Sequence, residues 1–412
     1  MDASRRHHEP LDTRGSARRR SARCRQVAAV LLALGGAALG RAQSTPPATP
    51  PAAAATGEPA SKFRSPEDGW IDFSAFLDES YGFLPIAMPI TEPAIGYGLG
   101  GGVMFLDEPM GKAAAEFKRP NITGVFGFGT ENGTWGGGAG DIRNWKDGRL
   151  QTIAAAFTAS VNLDFYGLGE DPILADHPLR YTLEPLGGVL QGKYQLGDSR
   201  FFAGLGYVYV TMDTSFEAPA STPGLPDYAA ESTLGALLPS LSYDTRNNVF
   251  TPTTGLYAEA SLAAFSEALG ADGDYQRGTL LAMYYRPLAE KLYLGVKAQL
   301  TATWNDPPFY LQPYVQLRGA PAMRYQGEQV AQAEAELRWQ FYQRWSLVGF
   351  AGTGLAQADI QGEENDRSVV TGGTGFRYEL ARKYGIHAGV DVAWGPDETA
   401  LYIQVGSAWL RP

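Results

Sequence analysis

The chain has 412 residues, with 34 basic and 44 acidic side chains, a formal net charge of −10, one cysteine and four histidines. So little cysteine and histidine excludes a disulfide framework and makes a structural zinc site implausible. The acidic balance argues against general nucleic-acid binding.

Residues 1–42 read as an export signal, with an arginine-rich start, an apolar run from Val27 to Leu39 and a small-residue site ending at Ala42. The run is too short for a spanning helix, and Arg41 interrupts it. Without this segment, which holds nine arginines and three acids, 25 basic and 41 acidic residues remain, a net charge of −16. Cys24 lies before the apolar run, so it is neither a lipoprotein anchor nor a disulfide partner. Residues 43–64 form a Pro/Ala-rich linker. Residues 65–81 form a short amphipathic periplasmic segment carrying Trp70, Ile71, Phe73, Phe76 and Leu77, either a helix at a barrel mouth, a small plug or a packed connector.

From residue 82 to 412 the pattern has a period of two. A proline-bearing strand at Gly82 to Ile90 opens the series, followed by strands near 95–106, 121–131, 134–145, 149–163, 181–196, 200–213 and 233–244. The Gly96-Tyr97-Gly98-Leu99-Gly100-Gly101 run matches a dinucleotide-binding pattern, but no helix follows, so it reads as a glycine-rich strand. Further strands lie near 255–266, 274–288 and 291–304. In the last of these, Leu292, Leu294, Val296 and Leu300 interleave with Tyr293, Gly295, Lys297 and Gln299. In 331–342, Ala333, Ala335, Leu337 and Trp339 interleave with Gln332, Glu334, Glu336 and Arg338, a face too polar for a dry core. Strands near 345–358, 368–380, 385–394 and 398–409 end the chain. In the last two, Ile386, Ala388, Val390, Val392, Leu401, Ile403, Val405 and Trp409 oppose His387, Asp391, Tyr402 and Gln404.

Hydrocarbon offers no hydrogen-bonding partner, so only a helix or a closed sheet crosses it with its backbone satisfied. Alternation that is apolar outward and polar or small inward, repeated over sixteen strands, predicts an all-β, transmembrane antiparallel β-barrel. Seven of the 8 tryptophans, all but Trp70, fall at or near proposed strand ends, as an aromatic girdle requires. Short turns at 146–149, 197–200 and 343–344 lie on the periplasmic side, and the long segments 164–180, 214–232 and 305–330 lie outside. The connection 107–120 is a long exception on the periplasmic side.

Two segments are more specific. One runs Asp244-Thr245-Arg246 to Pro252-Thr253-Thr254-Gly255 in a periplasmic turn, and the other is Gln316-Leu317-Arg318-Gly319 in the longest outer loop, five strands before the end. Together they resemble the BamA/TamA-type superfamily of outer-membrane insertases and translocators, the bacterial surface antigen family. The opening stretch Phe83-Leu84-Pro85 through Gly98 resembles a branch without periplasmic POTRA modules, and only Gln43 to Tyr81 is available for them here. The resemblance implies that the long extracellular loop folds into the lumen, where Arg318 and its turn glycine Gly319 meet Glu334 and Glu336. It also implies a periplasmic turn motif built on Asp244, Arg246, Pro252 and Gly255. Where the family places Phe-x-Asp-x-Gly, this chain reads Phe350-Ala351-Gly352-Thr353-Gly354, without the carboxylate. Lys297, Arg338 and Asp391 are further lumen charges.

The resemblance implies transport or assembly of protein or lipid at the bacterial outer membrane. A passive channel for small solutes is the alternative, with these charges setting its selectivity. An outer-membrane hydrolase using His387 with Asp391 four residues on is a weaker third, since a satisfied lumen histidine explains the pattern. The expected partners are outer-membrane lipids, a protein or lipid cargo and the barrel assembly machinery that would insert the chain; no nucleic acid, cofactor or metal is expected.

Overall fold

The computed structural model describes residues 62–109, 121–167, 177–216, 228–360 and 363–409. The proposed signal peptide and nearly all of the linker lie outside the described residues, as do parts of the connections 107–120, 164–180 and 214–232. Helix α1 (Ser74–Glu79) precedes strands β1 (Gly82–Glu92), β2 (Gly96–Leu106), β3 (Ile122–Thr130), β4 (Trp135–Trp145) and β5 (Leu150–Phe165). They are followed by β6 (Leu179–Gln195), β7 (Phe201–Phe216), β8 (Tyr228–Leu237), β9 (Ser240–Asp244), β10 (Gly255–Phe265), β11 (Tyr275–Ala289) and β12 (Leu292–Trp304). After the long connection 305–328 come β13 (Gln329–Tyr342), β14 (Trp345–Ile360), β15 (Glu363–Ala381), β16 (Ile386–Trp394) and β17 (Thr399–Val405).

β8 and β9 keep one register along β7, with Tyr207 opposite Leu237 and Gly204 opposite Ser240. Pro239, which has no N–H to give to the ladder, sits in the gap between them. They are two halves of one span, so the 17 strands make sixteen crossings among the described residues. Each span pairs antiparallel with the next, and the expected barrel is borne out.

Side-chain direction follows the register around the wall. Trp135, Trp304 and Trp394 lie at the extracellular ends and Trp145, Trp339 and Trp345 at the periplasmic ends of their strands. Leu280, Leu337, Leu347, Val370, Phe376 and Ile403 are exposed on the outer face, where hydrocarbon meets them.

Two expectations need correction. The last strand ends at Val405 rather than near 409, because Gly406 has φ +82 and turns the chain. Trp409 therefore enters the barrel instead of joining the outer girdle, and its indole N–H donates to Glu334 Oε1 at 2.7 Å. The second correction concerns β5, whose alternation is inverted. Ladder registers place Ile153, Phe157, Val161 and Leu163 inward and Thr152, Thr158, Ser160 and Asn162 outward. Phe157 packs there against the inward cluster of Val210, Leu234, Phe265 and Tyr275. Burial in that cluster, rather than contact with hydrocarbon, sets which face of β5 is apolar.

One junction differs from the rest. β17 lies beside β1, but among the described residues no ladder register joins them. Where they meet, Ile403 N–H donates to Thr91 Oγ1 at 3.0 Å.

Candidate functional site

The connection 305–328 folds back into the barrel as a hairpin. Tyr314 bridges Gln326, and Val315 N–H donates to Tyr325 O at 2.9 Å. Val315, Leu317, Ala320 and Tyr325 pack onto Val330 of β13, Ala356 of β14 and Val369 of β15. Glycines on β14 make room for this, since a Cβ on Gly354 would lie 2.4 Å from Val315 and one on Gly352 3.0 Å from Leu317. The absent carboxylate at position 352 thus leaves space that the loop fills.

At the tip of the hairpin the guanidinium of Arg318, with only 7% of its side chain exposed, reaches three carboxylates. Nη2 lies 2.6 Å from Glu334 Oε1 and 2.8 Å from Glu336 Oε2, and Nη1 lies 2.7 Å from Asp391 Oδ2. Beneath it the Phe350 ring centroid is 3.5 Å away, a cation–π contact on the remaining face. Gly319 has φ +87, and a Cβ there would come 3.1 Å from the Trp394 carbonyl carbon. Its N–H donates to Tyr402 Oη at 3.1 Å. These contacts tie one loop to β13, β14, β16 and β17.

Of the other expected lumen charges, Lys297 is half-buried on β12 with Glu334 opposite it in register. Arg338 donates toward His387 Nε2 at 3.2 Å and lies 4.6 Å from the Tyr293 ring centroid. His387 Nδ1 faces Gly385 O at 3.2 Å, which fits the tautomer with its proton on Nδ1. Asp391 is engaged by Arg318 and by Arg377 Nη2 at 2.8 Å, so His387 and Asp391 bond to arginines rather than to each other. Arg377 was missed in the sequence, although its mid-strand place between Phe376 and Tyr378 carries the same inward signal as Lys297.

The turn motif is also assembled. Arg246 Nη2 meets Asp244 Oδ2 at 2.8 Å, and its guanidinium lies over Tyr257 at 4.5 Å. Gly255 has φ +106, and a Cβ would lie 2.3 Å from Thr245 O, so glycine is required. Pro252 is buried, and Phe250 O accepts from Ser407 N–H at 2.6 Å, which brings this turn against the C-terminal segment that carries Trp409.

Below the wall, residues 62–80 form a docked segment. Arg344, in the turn between β13 and β14, has a fully buried side chain that meets Asp68 Oδ2 and Asp72 Oδ2, each at 2.8 Å. Burial pushes both carboxyls up, and hydrogen bonds from Arg344 and from the amides of Trp70 and Ser74 outweigh it, leaving both below the ordinary carboxylate range. Phe73 N–H donates to Leu380 O at 2.8 Å, and Asp78 holds Lys383 Nζ at 2.7 Å. No sequence signal pointed to Arg344, whose partners lie more than 270 residues away.

Sixteen crossings, two tryptophan girdles and a loop folded into the lumen define a transmembrane β-barrel of the outer membrane. The Omp85 superfamily domain model matches residues 175–395, more than half of the chain, and the chain belongs to that superfamily. Among solved structures it is similar to BamA from Haemophilus ducreyi lacking POTRA domains 1–3, with TM-score 0.53 and 13% identity over 84% of this chain and 79% of that one. CdiB from Escherichia coli is similar at TM-score 0.52 and 12% identity, over 85% of this chain and 64% of that one. CdiB from Acinetobacter baumannii follows at TM-score 0.51 and 8% identity, over 78% and 59%. The chain thus spans less than two thirds of either CdiB. No curated protein sequence matches it.

Proposed function

We propose that this protein moves or assembles protein or lipid at the outer membrane, using the junction between β1 and β17 as the exchange route and the Arg318 loop as its lock. The observation that carries the reading is the buried meeting of Arg318 with Glu334, Glu336 and Asp391. Three carboxylates brought together from two strands repel one another, and the guanidinium between them offsets that repulsion, so the loop and the last strands keep one arrangement. The unladdered edge of β1 supports the route, because opening it breaks no backbone ladder. The docked segment 62–80 acts as a strap: it is tied to the turns around β13–β16 and runs into β1 at Gly82, on the far side of the junction. We propose no catalytic role, since His387 is engaged by Arg338 and Gly385 O.

The test is the protein and lipid composition of outer membranes from a deletion strain against its parent. Depletion of a defined protein set or lipid class, restored by wild type and not by Arg318→Ala, is the expected result. An unchanged composition points to a passive channel for small solutes.

A further inference from the structure

The inner wall is divided in chemistry. From β12 to β16 its inward side chains include Gln299, Thr301, Glu334, Arg338, Arg377 and Asp391, and the 305–328 loop packs against this side and, through Phe309 and Tyr310, against the inward rings of β5–β8. Across the lumen, β1 to β5 turn Ile86, Met88, Met104, Phe126, Ile142 and Phe157 inward, in one unbroken register. Three of these remain uncovered, two on β1 and one on β3, with Ile86 43%, Met88 57% and Phe126 48% exposed. Glycine makes this side a trough: a Cβ on Gly136 would lie 2.6 Å from the Phe128 ring and one on Gly138 3.1 Å from the Phe126 ring. Two aromatic rings therefore lie flat along the wall.

Water gains nothing from such a surface, which costs about 25 cal/mol for each Å² of apolar area left wet. Polar inward side chains, Glu92, Thr130, Asn144 and Gln151, stand only at the ends of this band, so a polypeptide would bring amides to a middle without hydrogen-bonding side chains, at about 1–3 kcal/mol for each unpaired group. Hydrocarbon makes no such demand. β1 also shows where hydrocarbon would come from, since it is apolar on both faces, with Phe83, Pro85, Ala87 and Pro89 on the bilayer side. Because no ladder among the described residues closes β1 onto β17, the apolar surface continues around the edge of β1 from the bilayer into the trough. Along β1 the inward apolar run from Leu84 to Ile90 extends about 20 Å at 3.3 Å per residue. With the usual tilt of barrel strands this spans about one leaflet, half of the roughly 30 Å of bilayer hydrocarbon.

We propose that the β1–β4 wall is a binding site for the acyl chain of a membrane lipid, admitted past the free edge of β1. This deepens the transport reading by naming lipid as the cargo class, and rests on it for the use of the junction.

Full-length protein in a Cys24→Ser background, reconstituted in phosphatidylethanolamine/phosphatidylglycerol vesicles, tests the site through single nitroxide labels at Met88→Cys and Phe126→Cys. Leu190→Cys on the outer face and Ala268→Cys in an extracellular turn supply the hydrocarbon and water references. The expected result is oxygen accessibility equal to that at position 190, with accessibility to a water-soluble nickel chelate several-fold below that at position 268. Chelate accessibility equal to that at 268 means a water-filled trough, and low accessibility to both reagents means a polypeptide cover; either overturns the proposal. No transport is measured, so failure here leaves the exchange route standing, and failure of that route leaves lipid occupancy standing.

Discussion

Arg318 meets its three carboxylates in a space from which water is nearly excluded, and the consequence of removing it depends on what each acid has left. Asp391 would keep Arg377, whereas Glu334 would keep the Trp409 indole N–H, with Lys297 opposite it in register. Arg318→Ala is expected to cost about 3–5 kcal/mol, the usual penalty for stranding one side of a buried ion pair. Arg318→Lys recovers only part of this, because an ammonium cannot present a planar fork to two acids. The temperature at which the folded barrel loses its fast migration on semi-native gels reads both: several degrees lower for alanine, intermediate for lysine. Unchanged migration for alanine contradicts the lock. Gly319→Val should act in the same direction, since a side chain at φ +87 is strained by about 1–2 kcal/mol before it meets Trp394. At this scale the sequence exposed Arg318, Glu334 and Glu336, because a loop motif and strict alternation mark them. The third carboxylate was not legible as a partner: Asp391 stands 73 residues from Arg318, and only sheet closure brings them together.

Among the elements, the strands were the most legible, since a period of two survives in nearly every span and breaks at turns rich in glycine, proline and aspartate. Two elements escaped for physical reasons. Gly406 permits a left-handed turn that cuts β17 short and redirects Trp409, and alternation alone does not reveal which residue will use that freedom. β5 presents its apolar face inward because an internal cluster receives it, and periodicity shows that two faces differ without showing which one is inside. The strap depends on pH. Asp68 and Asp72 have folded values below their ordinary ones, so their contribution is fully present above about pH 4, the unfolded range, and is lost as pH falls through the folded values. A nitroxide at Pro66→Cys is expected to stay immobile at neutral pH and become mobile below about pH 4, whereas Arg344→Gln should free it at neutral pH. A label that stays immobile in acid contradicts the ion-pair account of docking.

On the scale of the molecule, fifteen junctions among the described residues carry backbone ladders and one, between β1 and β17, does not. The polar wall with the Arg318 network lies on one side of that junction and the apolar wall of β1–β4 on the other, so opening the junction would bring bilayer, trough and lock into one continuous space. Membership of the Omp85 superfamily gives the class of machine, and the Arg318 network and free edge give the moving part that we infer. A disulfide between Thr91→Cys and Ile403→Cys, at the point where β1 and β17 already touch, would lock it. The most direct test compares outer-membrane composition in cells carrying this pair, oxidised and reduced, with the deletion strain. The account predicts that the oxidised form reproduces the depletion seen on deletion and that reductant reverses it. A fully cross-linked junction with parental membrane composition would contradict it.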